Sequence, residues 1–469
     1  MKITFYGGVG EVTGSKHLVE IGGMKILLDC GFHQGHRKEA RELNSSLPFD
    51  PASIDAVVLS HAHLDHCGML PLLIKGGYKG KIYSTPATKD VTEWILKDAA
   101  HIQMQDAAHL TRHGSQGAHL AEPLYTIDDI PRVIERFESV PYVRDTGAWC
   151  ELGKNVKLKL YDAGHILGSA VVVLEALKDR FTHERVVFTG DLGRDGAPLI
   201  PDPEYVHEEA GVLLMESTYG GRVHQDFAAA KERLKTLVRE TIQKKGKLII
   251  PAFALGRTQE IVYLLHQLTD AGDIPRIPTF VDSPLAGHVT DVFRTHTDNF
   301  DQETWKEFGE KNDAPLAFRN LTYTESVEES RQLNTMPGPL IVIASSGMCE
   351  GGRILHHLRN NIENPNSIIL FTGFQAANTL GRRIIEGEKR VRVYDEFFEV
   401  KARIEKLNEL SAHADRNELL KYAEHVKGLK QVFLVHGEET QAAGLKSFME
   451  QRHPEWQVRI PERGENIII

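Results

Sequence analysis

The stretch His61-Ala62-His63-Leu64-Asp65-His66 decides how this chain is read. It follows directly on the apolar run Ala56-Val57-Val58-Leu59, which predicts a short buried strand. In extended backbone alternate side chains share a face, so His61 and His63 can converge on one ion. Met69, Leu70, Leu72 and Leu73 predict that the chain then turns into a helix, which lets Asp65 and His66 aim at a second ion. Imidazole nitrogens combined with carboxylate oxygens suit zinc. Four such groups within six residues are too dense for an incidental polar loop.

Three further candidates stand in the same kind of place. Asp191 follows Val186-Val187-Phe188-Thr189-Gly190, and His436 follows Val432-Phe433-Leu434-Val435. His165 lies in Asp162-Ala163-Gly164-His165-Ile166-Leu167-Gly168-Ser169, after a strand-like run that ends at Tyr161. Loops held at the ends of strands are where catalytic groups gather, because a rigid sheet positions them.

Around these motifs the chain has three regions. From residue 1 to 217, short apolar strands alternate with glycine turns, among them Met24–Leu28, Val156–Leu160 and Ala170–Leu174, with a polar helical stretch near residues 90–140. From 218 to 404 the order becomes strand, loop, helix. The strands Lys247–Ile250, Leu340–Ala344 and Ile368–Phe371 predict a parallel sheet flanked by helices. From 405 to 469 strand and helix return, with Val432–Val435 the clearest strand. With no internal repeat and no proline-rich linker, a domain inserted into another fits better than two in tandem.

The 469 residues are long for one core. Hydrophobic residues at 41% and charged residues at 26% exclude a disordered chain. No apolar run is long enough to span a bilayer, so no membrane partner is expected. Lys2–Tyr6 is already strand-like, without a basic-then-apolar leader, and a cytoplasmic location is the expectation. Cys30, Cys67, Cys150 and Cys349 form no C-x-x-C pair, which points to free thiols. A net charge of −10 argues against a protein that coats nucleic acid, yet leaves a nuclease open, since bound cations offset the local field.

The H-x-H-x-D-H run with the later His and Asp resembles the metallo-β-lactamase superfamily. By that resemblance His61, His63 and His165 hold one zinc, Asp65 and His66 the other, Asp191 bridges both, and His436 completes the second site. The middle of the chain narrows the branch. Glu216-Ser217-Thr218-Tyr219-Gly220, Pro251-Ala252-Phe253-Ala254-Leu255-Gly256-Arg257, Asp282-Ser283-Pro284, Ser345-Ser346-Gly347-Met348, Gly351-Gly352-Arg353, Thr379-Leu380-Gly381-Arg382 and Ser411-Ala412-His413-Ala414-Asp415 occur in this order. The series resembles the β-CASP nucleases, whose eukaryotic members include the endonuclease subunit of the pre-mRNA 3′-end cleavage machinery.

The resemblance implies an α/β fold: a four-layer αββα sandwich built from both ends of the chain, an inserted α/β domain at 218–404, and an active site in the cleft between them. It implies hydrolysis of phosphodiester bonds in single-stranded RNA by a hydroxide shared between two zinc ions, internally or from the 5′ end. Asp65, Glu216 and His413 are the candidate catalytic residues. An imidazole oriented by a carboxylate can give a proton to the leaving oxygen, or bind phosphate as a cation. Ser345, Ser346, Gly347 and Ser411 offer donors for a substrate phosphate, and Arg257, Arg353 and Arg382 are candidates for the strand's path. Homodimerisation and RNA-processing protein partners stay open.

Other signals are discounted. Gly7-Gly8-Val9-Gly10-Glu11-Val12-Thr13-Gly14 leads into a strand-like run, His17–Ile21, where a dinucleotide loop needs a helix, and reads as a turn near the active-site floor. His101, His109, His113 and His119 lack the spacing of a second metal site and read as surface residues. A small-molecule hydrolase of the same fold needs no large second domain. A non-enzymatic RNA-binding scaffold is free to lose ligands, and all seven are present. A DNA-processing nuclease of the related branch is disfavoured by His436.

Overall fold

A computed structural model describes residues 1–35, 37–112, 122–178, 182–224, 227–309, 314–373, 375–376 and 378–469. The chain divides into two compact units. One contains Met1–Asp195, Asp202–Val223 and His413–Ile469, and the other Gly196–Pro201 and His224–Ala412.

The first unit is built on two seven-stranded sheets. One runs in the order Asn466–Ile468, Lys2–Gly7, Lys16–Ile21, Met24–Leu28, Ala56–Val58, Lys81–Ser84, Phe137–Ser139. The other runs Gln457–Arg459, Gln431–Val435, Val212–Glu216, His183–Phe188, Ala170–Leu177, Val156–Asp162, Cys150–Gly153. Period-2 alternation sends Ile3, Phe5, Ile26, Leu28 and Val58 of the first sheet into one core with Leu158, Val172, Val186, Leu214 and Phe433 of the second. Between those positions, Val173, Val187, Leu213, Met215 and Leu434 face the other way. The helices Arg416–His425 and Glu439–Arg452 cover them through Leu419, Leu420, Leu445 and Met449. Beyond the first sheet, Leu27, Val57 and Ile82 are buried as well, and the helices Leu70–Lys75, Pro86–Arg112 and Ile130–Ile134 bury Leu70, Leu73, Val91 and Val133. Two sheets face to face with helices outside make the four layers expected.

Strand direction positions the site. Met24–Leu28, Ala56–Val58 and Lys81–Ser84 are parallel neighbours, as are His183–Phe188, Val212–Glu216 and Gln431–Val435. The carboxyl ends of each set therefore lie side by side, and their following loops carry Asp29, His61, Asp191 and His436. The Gly7–Gly14 turn braces this floor. Gly8 O accepts from His436 N at 2.6 Å, Glu11 O from Gly437 N at 3.1 Å, and Ser15 N donates to Asp65 O at 2.9 Å.

The second unit holds a six-stranded sheet in the order Leu321–Tyr323, Thr279–Asp282, Leu340–Ala344, Lys247–Pro251, Ile368–Phe371, Arg403–Lys406, with every pair parallel. Its central strands are apolar on both faces, as a sheet covered by helices on both sides requires. In the first unit, His101 lies exposed on the helix Pro86–Arg112, which also includes His109, whereas His113 and His119 fall outside the described residues. Among the described residues no helix is long and apolar enough to cross a membrane.

Candidate metal centre

Four ligand atoms converge at the end of Ala56–Val58. His61 Nε2 lies 3.1 Å from His63 Nδ1, which lies 3.3 Å from His165 Nε2. Asp191 Oδ2 closes the figure at 3.3 Å from His61 Nε2 and 3.6 Å from His165 Nε2. Imidazole nitrogens this close can share protons between neighbours or turn their lone pairs together onto one cation. A tetrahedral zinc with bonds of about 2 Å has its ligand atoms about 3.3 Å apart, so the spacing fits.

A second cluster lies beside it and is formed by Asp65, His66 and His436. Asp65 Oδ2 is 3.3 Å from His436 Nε2 and 3.9 Å from His66 Nε2. Asp191 belongs to both clusters, because its other oxygen, Oδ1, lies 3.3 Å from His66 Nε2. Buried His66 Nε2 and Asp191 Oδ1 have no hydrogen-bond partner, which leaves their lone pairs for an ion. The donor set therefore fits a divalent metal.

Outer groups set the direction of these ligands. Asp29 accepts from His66 Nδ1 at 2.7 Å, from Ser60 Oγ at 2.8 Å and from Ser60 N at 2.7 Å. Since the Ser60 hydroxyl donates to Asp29, it accepts from His61 Nδ1, 3.0 Å away. One buried carboxylate thus turns a ligand of each cluster so that Nε2 faces inward. The Asp191 loop packs against the His165 loop at Gly193, where an added Cβ would stand 1.7 Å from Gly164 O.

Glu216 and His413 form the third group, with Asp191. Glu216, fully buried at the end of its strand, lies 3.0 Å from His413 Nδ1 through Oε1, and the same oxygen accepts from Leu192 N at 2.7 Å. It orients the imidazole and holds the Asp191 loop at once. The His413 ring lies 4.6 Å from that of His165.

Electrostatics separate the histidines. Burial pushes His61 down to about 3 and His63 to about 4, and holds His165 well below the usual range, so all three are neutral, as ligands must be. Burial opposes charge on His66 too, but Asp191 and Asp29 outweigh it and raise the group well above its ordinary value. Burial also opposes charge on His413, and Glu216, with Asp191 and Asp65 behind it, lifts the group to about 9. A divalent cation among these carboxylates would pull both back down.

The other expected site residues lie in the second unit. Arg257 is buried and pairs with Glu260. Arg353 pairs with Asp282 at 2.7 Å and Arg382 with Glu386 at 2.6 Å. Ser345 Oγ donates to Ser283 Oγ at 2.5 Å, Ser346 Oγ to Gly351 O at 3.3 Å, and Gly347 O accepts from Gln375 Nε2 at 2.9 Å. Ser411 is buried. Asp29 and Ser60 were not among the residues the sequence singled out. Asp29 had a signal, for it follows the apolar strand Met24–Leu28 closely, as Asp191 and His436 follow theirs.

Residues 18–188 match a metallo-β-lactamase superfamily domain, 258–384 a Beta-Casp domain, and 398–461 a Zn-dependent metallo-hydrolase RNA specificity domain. Over 467 residues the chain is 35% identical to a ribonuclease of Thermus thermophilus, covering 100% of both. It is 30% identical over 445 residues to an RNase J-like protein of Methanocaldococcus jannaschii, covering 94% of this chain and 93% of that one. An endoribonuclease of Eremothecium gossypii is 28% identical over 455 residues, which are 94% of this chain and 55% of the relative. A crystal structure of a protein of unknown function from Enterococcus faecalis superposes with a TM-score of 0.54 at 13% identity, covering 100% of this chain and 99% of the other, and shares the fold.

Proposed function

Because the chain belongs to the β-CASP family of metallo-β-lactamase-fold ribonucleases, we propose that it hydrolyses phosphodiester bonds of single-stranded RNA with two bound zinc ions. The observation that carries this reading is the shared carboxylate: Asp191 offers Oδ2 to the His61, His63 and His165 cluster and Oδ1 to His66 of the other. When bound, two zinc ions make a water nucleophilic near neutral pH and offset charge on the phosphoryl oxygens.

The chain's own residues supply the rest. Asp65, His66 and His436 hold the second ion beside the first. Glu216 fixes His413 by Nδ1, leaving Nε2 to protonate the departing 3′ oxygen as the new oxygen–phosphorus bond forms. The products are a 5′-phosphate and a 3′-hydroxyl. The Glu216 carboxylate beside it favours the protonated form of His413, as a proton donor needs. Ser345, Ser346, Gly347 and Ser411 remain the proposed phosphate contacts. For Arg257, Arg353 and Arg382 a substrate role requires that they keep or exchange the carboxylate partners described above.

The test sets 5′-labelled single-stranded RNA against DNA of the same sequence, with the metal-replete chain beside its Asp191→Ala variant. RNA-selective cleavage that the variant lacks is the expected result, and the product ladder separates internal cutting from stepwise trimming. Wild-type chain with two zinc ions that cuts neither strand would overturn the reading.

A further inference from the structure

We infer that the Thr218 hydroxyl decides which nitrogen of His436 meets the second ion, and so sets that ion's affinity; the inference rests on the two-ion reading above. Strands Val212–Glu216 and Gln431–Val435 are parallel, with Glu216 beside Val435, so residues 217 and 218 run past His436 as both strands end. His436 has a φ of 45°, a left-handed conformation that a non-glycine residue keeps only when its surroundings hold it there. They do. Its N–H donates to Gly8 O at 2.6 Å, and its carbonyl accepts from Ser217 N at 3.1 Å and from Thr218 Oγ1 at 3.1 Å. Ser217 Oγ adds a bond to Val435 O at 2.9 Å.

The Thr218 hydroxyl has one hydrogen, and the His436 carbonyl takes it. Its oxygen must therefore accept from the other group in reach, His436 Nδ1, 3.2 Å away. That bond places the ring proton on Nδ1 and the lone pair on Nε2, the atom 3.3 Å from Asp65 Oδ2. It also protects the shared carboxylate. Asp191 Oδ1 lies 3.3 Å from the same Nδ1, and without the hydroxyl it becomes the acceptor left for the Nδ1 proton. An oxygen so engaged is lost to the second ion. Thr218 thus does for His436 what Asp29 does for His66, with a neutral hydroxyl in place of a carboxylate, and it is a positioning residue.

Thr218→Val keeps the shape and removes the hydroxyl, whereas Thr218→Ser restores it. The measurement is the affinity of each ion by competition with a metal chelator, on the full chain, with bound zinc counted per molecule and the melting temperature of the metal-free protein recorded. Removing a partner of this kind weakens metal binding about 10–100-fold. The expected result for Thr218→Val is that loss for the second ion, wild-type affinity for the first, recovery in Thr218→Ser, and only a small fall in the metal-free melting temperature, because Ser217 N still bonds the His436 carbonyl when the hydroxyl is gone. Second-ion affinity in Thr218→Val equal to wild type would overturn the inference while leaving two-ion binding intact. Equal weakening of both ions with a large fall in the metal-free melting temperature would overturn it as well, by showing a general structural defect. A wild-type chain that holds fewer than two ions would sink the two-ion reading and this inference with it.

Discussion

At the scale of single residues, ligands and their supports divide the labour, and substitutions should separate them. Asp191→Ala removes an atom from each cluster and should lower zinc content together with RNA cleavage, read by metal analysis and a cleavage assay on one preparation. His413→Ala should keep both ions and lose turnover by about 10²–10⁴-fold, the usual worth of a positioned acid. Zinc loss in that variant would remove its assigned role. Asp29→Asn should weaken zinc binding by about 10–100-fold, because a carboxylate bonded to the far nitrogen of a ligand raises its basicity. His61, His63, Asp65 and His66 were legible because they crowd into six residues directly after a strand. Thr218 was not: a threonine two residues beyond a strand has no chemistry of its own to announce, and its role exists only beside His436, 218 positions away.

At the scale of elements, the strands Met24–Leu28, Leu340–Ala344 and Ile368–Phe371 were legible to the residue, for they are bounded by turns and, Lys25 apart, apolar. What periodicity does not carry is partnership between elements. Asp282, read as part of a motif, turns out to be a fully buried hub in the second unit. Its carboxylate accepts from Thr324 at 2.5 Å, Ser330 at 2.6 Å, Arg353 at 2.7 Å and His357 at 2.6 Å, joining the end of its strand to two helices and a loop. Burial works against this carboxylate, but those four bonds hold it well below the usual carboxylate range. The stabilisation is therefore present above the unfolded value of about 4 and is lost as pH falls through the lower folded value. Asp282→Ala takes the carboxylate from the half-buried Arg353 and the buried His357 and should cost up to about 3–5 kcal/mol, measured as a lowered calorimetric transition at neutral pH. The loss should shrink as the pH drops into the acid range, where the wild-type carboxylate also takes up its proton.

At the scale of the whole molecule, the two proposed ions would join candidate ligands spread from residue 61 to residue 436, so metal binding should stabilise the first unit against unfolding. Chelation should lower its melting temperature, and readdition of zinc should restore it. The order of those ligands along the chain has a further consequence. Gln431–Val435 is an interior strand of the second sheet, beside Val212–Glu216, yet nearly the whole second unit is synthesised between the two. During translation, which delivers the chain from its N-terminus, six of the seven candidate ligands emerge before His436 and before the strand that fixes it. On the proposed two-ion reading, the nascent polypeptide therefore lacks a complete second metal site until His436 and its strand have left the ribosome.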